Sequence, residues 1–340
     1  MCRWFAYISN TEPTLLEDVL IEPAHALAKQ VHDHYLPGLA HYEPDSDKKS
    51  TEAEIDMRNR MFNADGLGMA WYSNTRCEFG ECDGIRPTIY KVLSQPTTDP
   101  VFTSLCANTA STTLFAHIRA ASPGSPIHIY NAHPFTFGRH TFMHNGGVTG
   151  FDSIRREVLA EMSEDAAKAM RGTSDSEHVA ALFFTYLAER RGPDVWDQRH
   201  PLEEVKAALE RAVQKIIDIQ KEVLPKKGVE YGASSLNIAI TDGEQLLTIR
   251  FRNSATEHPP SLYLSTTAGV TLNRKYPGHP DKEVNNVANR KKAEEHGDHV
   301  IVASEPTTYQ KHQWELIQKN ECIMVGTDMV VKKAPVNVTF

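Results

Sequence analysis

The chain has 340 residues, 40% of them hydrophobic, which is ample for a sizeable core. Its net charge of −8, from 36 Lys and Arg against 44 Asp and Glu, is the opposite of the basic surplus that a nucleic-acid binder carries. No apolar run is long enough to span a bilayer and the first residues lack the apolar stretch of a signal peptide, so the expected address is the cytosol, with no membrane partner. In chain order, runs rich in Val, Ile, Phe, Tyr and Thr predict strands over 3–8, 66–72, 88–93, 113–120, 141–144, 236–240, 245–251, 261–265, 299–304 and 322–331. The Thr-Asp-Gly run ending at Gly243 reads as a hairpin turn in which Asp-Gly supplies positive φ. Helical periodicity predicts helices over 14–31, over 152–170 with Asp152 or Ser153 as cap, from Ser174 with Glu177 completing a capping box, and over 202–224 between Pro201 and Pro225. Antiparallel strands with helices in blocks point to a layered α+β fold in one domain spanning residues 2–340. Two segments, 41–60 and 273–297, read as polar loops, the second a candidate for partner docking.

The five cysteines, Cys2, Cys77, Cys82, Cys106 and Cys322, are odd in number and lack framework spacing, which argues against a disulfide scaffold. Cys77 and Cys82 could be half of a zinc site, but no second half follows; they read as hairpin residues, and no metal is expected. Cys106 and Cys322 sit in apolar segments as buried thiols.

Cys2 is different because of where it stands. A cysteine at position two is small enough to permit removal of Met1, leaving a thiol and a free α-amine on one residue. An α-amine with a pKa of about 7.7–8.0 can serve as the base that a thiol nucleophile needs. An accidental terminal cysteine would look the same, but the strand that follows would carry this terminus into the fold. The strand over 113–120 delivers Arg119 at its end, where it is either a surface arginine or a bidentate carboxylate ligand. The run His144-Asn145-Gly146-Gly147 closes another strand. It is either a plain turn or an oxyanion hole made by an Asn amide and a Gly N–H. His133 and His144 could be catalytic, metal-binding or hydrogen-bonded framework residues. Asp175 falls in the first turn of a helix, where complementing the helix dipole would account for it.

Taken together, an initial Met-Cys, a strand ending in Arg119, N-A-H-P at 131–134, H-N-G at 144–146 and S-D-S-E at 174–177 resemble the class II glutamine amidotransferases, in order and spacing. The N-A-D-G-L-G run at 63–68 is similar to that family's D-G-x-G strand entry. S-L-N-I-A-I-T-D-G at 235–243 and V-A-S-E-P at 302–306 resemble one subgroup. It contains the glutamine-amidotransferase subunit of the fungal glutathione-degradation complex and the bacterial γ-glutamyl hydrolase of ergothioneine synthesis. E-P-A-H-A-L at 22–27 fits the fungal subunit better.

The resemblance implies a four-layer αββα N-terminal-nucleophile hydrolase sandwich of two mainly antiparallel sheets. It implies that Cys2 attacks the δ-carbonyl of a γ-glutamyl group with its own α-amine as base, and that Asn145 and the Gly146 N–H hold the oxyanion. Arg119 then grips the α-carboxylate and Asp175 the α-ammonium, with Ser122 and His144 counted among the substrate contacts. No metal or organic cofactor is implied. The substrate expected is a small γ-glutamyl compound, glutathione or glutamine, with a metallopeptidase-like partner subunit. Alternatives on the same residues are an ergothioneine-pathway hydrolase and a glutaminase feeding ammonia to a synthase; a non-catalytic binding subunit is the alternative if Met1 persists. One departure stands out: aminosugar-forming relatives carry Trp after the Arg, and here Ala120 takes that place.

Overall fold

A computed structural model describes residues 2–31, 65–121, 125–189, 191–279, 284–308 and 310–340. The polar segment at 41–60 and Ser122 lie outside the described residues. In chain order the strands are β1 (Arg3–Ser9), β2 (Thr14–Leu15), β3 (Leu67–Ser73), β4 (Arg86–Val92), β5 (Ala110–Ser111), β6 (Thr113–Ile118), β7 (Phe135–Phe137) and β8 (His140–Gly147). They continue with β9 (Ser235–Thr241), β10 (Leu246–Arg252), β11 (Tyr263–Ser265), β12 (His299–Ala303), β13 (Glu315–Leu316), β14 (Glu321–Val325) and β15 (Val331–Pro335). The α-helices are α1 (Leu16–Leu20), α2 (Thr75–Glu78), α3 (Pro100–Asn108), α4 (Phe151–Ala160), α5 (Glu164–Ala169), α6 (Asp175–Ala188), α7 (Leu202–Val223) and α8 (Ala268–Leu272).

Two sheets carry the fold. One has seven strands in the order β13-β11-β12-β1-β6-β3-β4, the other six in the order β15-β14-β10-β9-β8-β7, and the ladders in both are antiparallel. Alternation along the strands sorts the core into three slabs. Trp4, Ala6 and Ile8 of β1 join Phe115, Met143, Ala239 and Ile323 between the sheets. Phe5 and Tyr7 face outward and pack with α1, α3 and α8 through Leu16, Phe102 and Leu272. Phe142, Ile238 and Leu247 face the other way, under α4, α6 and α7. Helix, sheet, sheet, helix is the expected four-layer αββα sandwich.

Local differences from the sequence reading have local causes. The helix expected over 14–31 is a two-residue strand paired with β5, a short helix ending at Leu20 and a separate 3-10 turn (Leu27–Val31). Pro23 accounts for the break, because proline disfavours the helical conformation of the residue before it. The helix over 152–170 is two helices, since Ser163 caps a new one by accepting from the Ala166 N–H. Gly150, with φ of 67°, stands at the N-terminal cap position instead of Asp152 or Ser153. The run over 322–331 folds back at Gly326 into β14 and β15. In the β9–β10 turn only Gly243 takes positive φ, while the Asp242 carboxylate accepts from the N–H groups of Glu244 and Gln245. The segment expected as a polar loop at 273–297 is pinned where it is described: Asn273 and Lys291 donate to Glu12, and Arg274 bonds Asp18 and Glu17.

Histidines buried in these slabs make stability depend on pH. Burial holds the His117 ring down to about 3, and burial with the nearby Arg3 charge holds His25 to about 4. Both are neutral in the fold, whereas the unfolded chain takes up these protons near pH 6.5. Stability is therefore complete above about pH 6.5 and lost as pH falls toward 4. The melting temperature should drop steadily between about pH 7 and pH 5, and a flat profile there in a calorimetric scan would contradict neutral burial.

Candidate active site

β1 brings Cys2 to one end of the sandwich. Its sulfur accepts from the Ala120 N–H at 3.3 Å and lies 3.5 Å from the Ala120 carbonyl. Burial pushes the thiol up; the Ala120 N–H, the amino-terminal charge and Arg119 oppose that, and Asp175 adds to it. The strand start is clamped. Arg3 donates to the Cys2 carbonyl at 2.9 Å and pairs with Glu305 at 3.7 Å, both side chains buried. Ser304 accepts from the Trp4 N–H at 3.0 Å. The V-A-S-E-P run thus fastens the segment that carries the thiol.

Arg119 follows β6, the neighbour of β1. Its backbone is held on both sides, by Arg119 N–H to Gly66 at 2.7 Å and Asp65 N–H to Arg119 at 3.0 Å. The Asp65 carboxylate accepts from the Ala121 N–H at 2.8 Å. The guanidinium donates to the Pro126 carbonyl at 3.0 Å and to Ser125 Oγ at 2.7 Å. Asn131 of the N-A-H-P run ties this loop to the next. Its Nδ2 donates to Pro126, and its Oδ1 accepts from the N–H groups of Thr173 and Ser174. Gly172 has to be glycine, because a Cβ there would stand 2.3 Å from Asn131 Oδ1. Gly68 is as constrained: its Cβ would lie 1.8 Å from the His133 carbonyl, so the second glycine of D-G-x-G lets the N-A-H-P loop approach β3.

Asp175 opens α6. Ser174 caps the helix by accepting from the Glu177 N–H at 3.2 Å. The expected capping box is only half made, because the Glu177 carboxylate accepts from Arg171 and Gly172 instead. Asp175 Oδ2 accepts from the Val148 N–H at 2.9 Å, just past the end of β8, and Oδ1 accepts from the Ser176 N–H at 2.8 Å. A cleft of about 290 Å³ opens here, lined by Ser125, Pro126, Gly147, Thr173 and Asp175 among others. A larger one of about 540 Å³, around Tyr186, Trp196 and Arg211, contains none of these residues.

β8 supplies the rest. Met143 belongs to the slab between the sheets and Phe142 to the helix side. By alternation Asn145 faces inward and His144 outward. Asn145 is 1% exposed, and neither its Nδ2 nor its Oδ1 has a partner among the described residues. A buried amide left unsatisfied costs roughly 1–3 kcal/mol, so a fold that keeps one calls for an explanation. Gly146 has φ of 147°, and a Cβ there would meet the Ser235 carbonyl at 1.9 Å. His144 faces the other way. Its ring turns to the helix layer, with Nδ1 2.8 Å from Ser176 Oγ and Nε2 3.2 Å from the Ser235 carbonyl. Through these contacts it braces the first turn of α6.

Four contributors were missed as such in the sequence: Asp65, Asn131, Ser176 and His117. His117 Nε2 lies 3.0 Å from the His144 carbonyl and links the two sheets next to Asn145. Its signal was its place two residues before Arg119, on the face of Trp4. His133 stacks on it, ring centroids 4.0 Å apart. No group of three or more His, Cys, Asp or Glu able to hold a metal occurs among the described residues. No helix among them is long and apolar enough to cross a membrane.

No family model matches the chain. It is 30% identical over 333 residues to the probable glutamine amidotransferase DUG3 of Saccharomyces cerevisiae, covering 97% of this chain and 83% of that protein. Over 101 residues, 30% of this chain and 14% of the relative, it is 35% identical to glutamine–fructose-6-phosphate aminotransferase of Caulobacter vibrioides. In structure it is similar to a glutamine aminotransferase class-II domain protein from Silicibacter pomeroyi, with a TM-score of 0.58 at 18% identity over 98% of both chains. It also overlays half of the glutamine phosphoribosylpyrophosphate amidotransferase of B. subtilis, with a TM-score of 0.53 at 12% identity over all of this chain. The kinship over 97% of this chain agrees with the motifs, and the sandwich with the fold of the solved neighbours: the chain belongs to the class II glutamine amidotransferase family.

Proposed function

We propose that this protein hydrolyses γ-glutamyl amide bonds through a thioester on Cys2, with glutathione as substrate and glutamate and cysteinylglycine as products. The observation that carries the reading is Asn145: a buried amide, without a partner among the described residues, on the inward face of the strand beside β1's end of the sandwich. An oxyanion forming between the sheets would supply its missing acceptor.

In this reading Met1 is removed and the Cys2 α-amine takes the thiol proton. The thiolate attacks the δ-carbon, and the carbonyl electron pair moves onto oxygen, held by Asn145 Nδ2 and the Gly146 N–H. Collapse of that intermediate breaks the C–N bond, and the departing nitrogen receives the proton from the α-ammonium. Water, deprotonated by the same amine, then releases glutamate and restores the thiol. Arg119 and Asp175 would bind the α-carboxylate and α-ammonium; both bear on the thiol electrostatically, which supports their lying within reach of it. Ser122 is assigned to the substrate by resemblance alone. The cytosol and a metallopeptidase-like partner subunit complete the reading.

Ala120 bears on the leaving group because both its N–H and its carbonyl touch the Cys2 sulfur. Replacing it with Trp adds a bulky side chain beside the thiol. Ala120→Trp should lower kcat/KM for glutathione about tenfold more than for glutamine, since only the tripeptide has a large leaving group. Parallel assays of the two substrates test both points. Wild-type preference for glutamine would sink glutathione as the substrate, and equal loss on both would remove Ala120 from leaving-group selection.

A further inference from the structure

We infer that Asn237 is a leaving-group residue, its carboxamide oxygen accepting a hydrogen bond from the N–H of the scissile γ-glutamyl amide. The inference rests on the γ-glutamyl hydrolase reading above. Asn237 lies in the S-L-N-I-A-I-T-D-G run, a motif to which the mechanism has given no work. It is the direct partner of Asn145 in the β8–β9 ladder. Directly paired residues project to the same face with Cβ atoms about 4.5–5.5 Å apart, so both amides look into the space between the sheets.

The orientation of the Asn237 amide is determined. One side lies 2.9 Å from the Pro260 carbonyl and 3.4 Å from that of Ser261. Carbonyls only accept, so this side is Nδ2 and Oδ1 points away from them. The side chain is completely buried, and Oδ1 has no partner among the described residues. Its platform is rigid: the buried Arg250 donates to the same Pro260 carbonyl at 2.9 Å and to Pro259 at 3.0 Å.

The side of the thiol on which Asn237 lies gives it a role. β1 runs between β6, which leads to Arg119, and β12, which leads to Glu305. Asn237 is on the Glu305 side. It contacts the Pro260–Ser261 backbone, Ser261 Oγ donates to Glu305 at 3.2 Å, Glu305 pairs with Arg3, and Arg3 holds the Cys2 carbonyl. A γ-glutamyl group held at Arg119 and attacked at Cys2 extends its leaving nitrogen away from Arg119, toward Asn237. Amide substrates carry an N–H there for the acceptor to meet, and esters carry oxygen.

The test compares γ-glutamyl ethylamide with the γ-ethyl ester of glutamate, which differ only by N–H against O, using kcat/KM so that acylation is read. In Asn237→Leu the amide-to-ester ratio should fall about tenfold or more relative to wild type, because one hydrogen bond to the scissile nitrogen is lost. Arg250 still satisfies the Pro260 carbonyl in that variant; Asn237→Ser, whose hydroxyl is too short to reach, is measured alongside and should show the same fall. An unchanged ratio, or loss of both activities together in both variants, overturns the assignment and leaves Asn237 a structural residue. If wild type cleaves neither compound, the γ-glutamyl hydrolase reading has failed, and this inference with it.

Discussion

Replacing Cys2 with alanine should reduce hydrolysis of any γ-glutamyl amide by roughly 10⁴-fold or more, because a nucleophile acting as one unit with its base leaves only the binding residues when it is removed. The fold should tolerate the change. Cys2 is only partly buried, and its sulfur accepts one backbone N–H, that of Ala120. Losing one such bond costs about 1 kcal/mol. The result to look for is a melting temperature within a few degrees of wild type with no turnover. Substrate should still bind, since Arg119 and Asp175 do not depend on the thiol for their positions; Ser125, Pro126 and the Val148 N–H hold them. Turnover retained within tenfold in Cys2→Ala would transfer the chemistry to another group.

The second large effect is expected at Asn145. Asn145→Ala should lower kcat by about 10²–10³-fold with little change in KM, the behaviour of a donor that acts on charge developing in the transition state. Stability should move the other way. The wild-type side chain is buried with neither polar atom partnered among the described residues, so its removal relieves a desolvation penalty. A melting temperature at or above wild type, together with a large loss of kcat, is the signature of a group kept for function at the expense of stability. A variant that is both unstable and inactive would make Asn145 a structural residue.

Much of this was legible in the sequence because the informative residues stand at the ends of strands and helices. Arg119 was visible where an apolar strand stops at a charge, and Asp175 where Ser174 opens an amphipathic run. What stayed hidden has a common cause. In a four-layer sandwich both faces of each sheet are buried, so Phe142 and Met143 look equally like core. Alternation alone could not say which of His144 and Asn145 faces into the space between the sheets. Asn237 became informative only through the β8–β9 register, which no single strand encodes. The divided helices at Pro23 and Ser163 show caps and prolines overriding a periodicity that continued across them.

That Cys2 is the nucleophile and carries a free α-amine is tested most directly by mass spectrometry of the intact protein after incubation with 6-diazo-5-oxo-norleucine. The predicted result is a chain lacking Met1, with a single adduct that peptide mapping places on Cys2. Retention of Met1 with no adduct, in a preparation whose fold is intact, would contradict the mechanism and favour a binding subunit that keeps the sandwich without its chemistry.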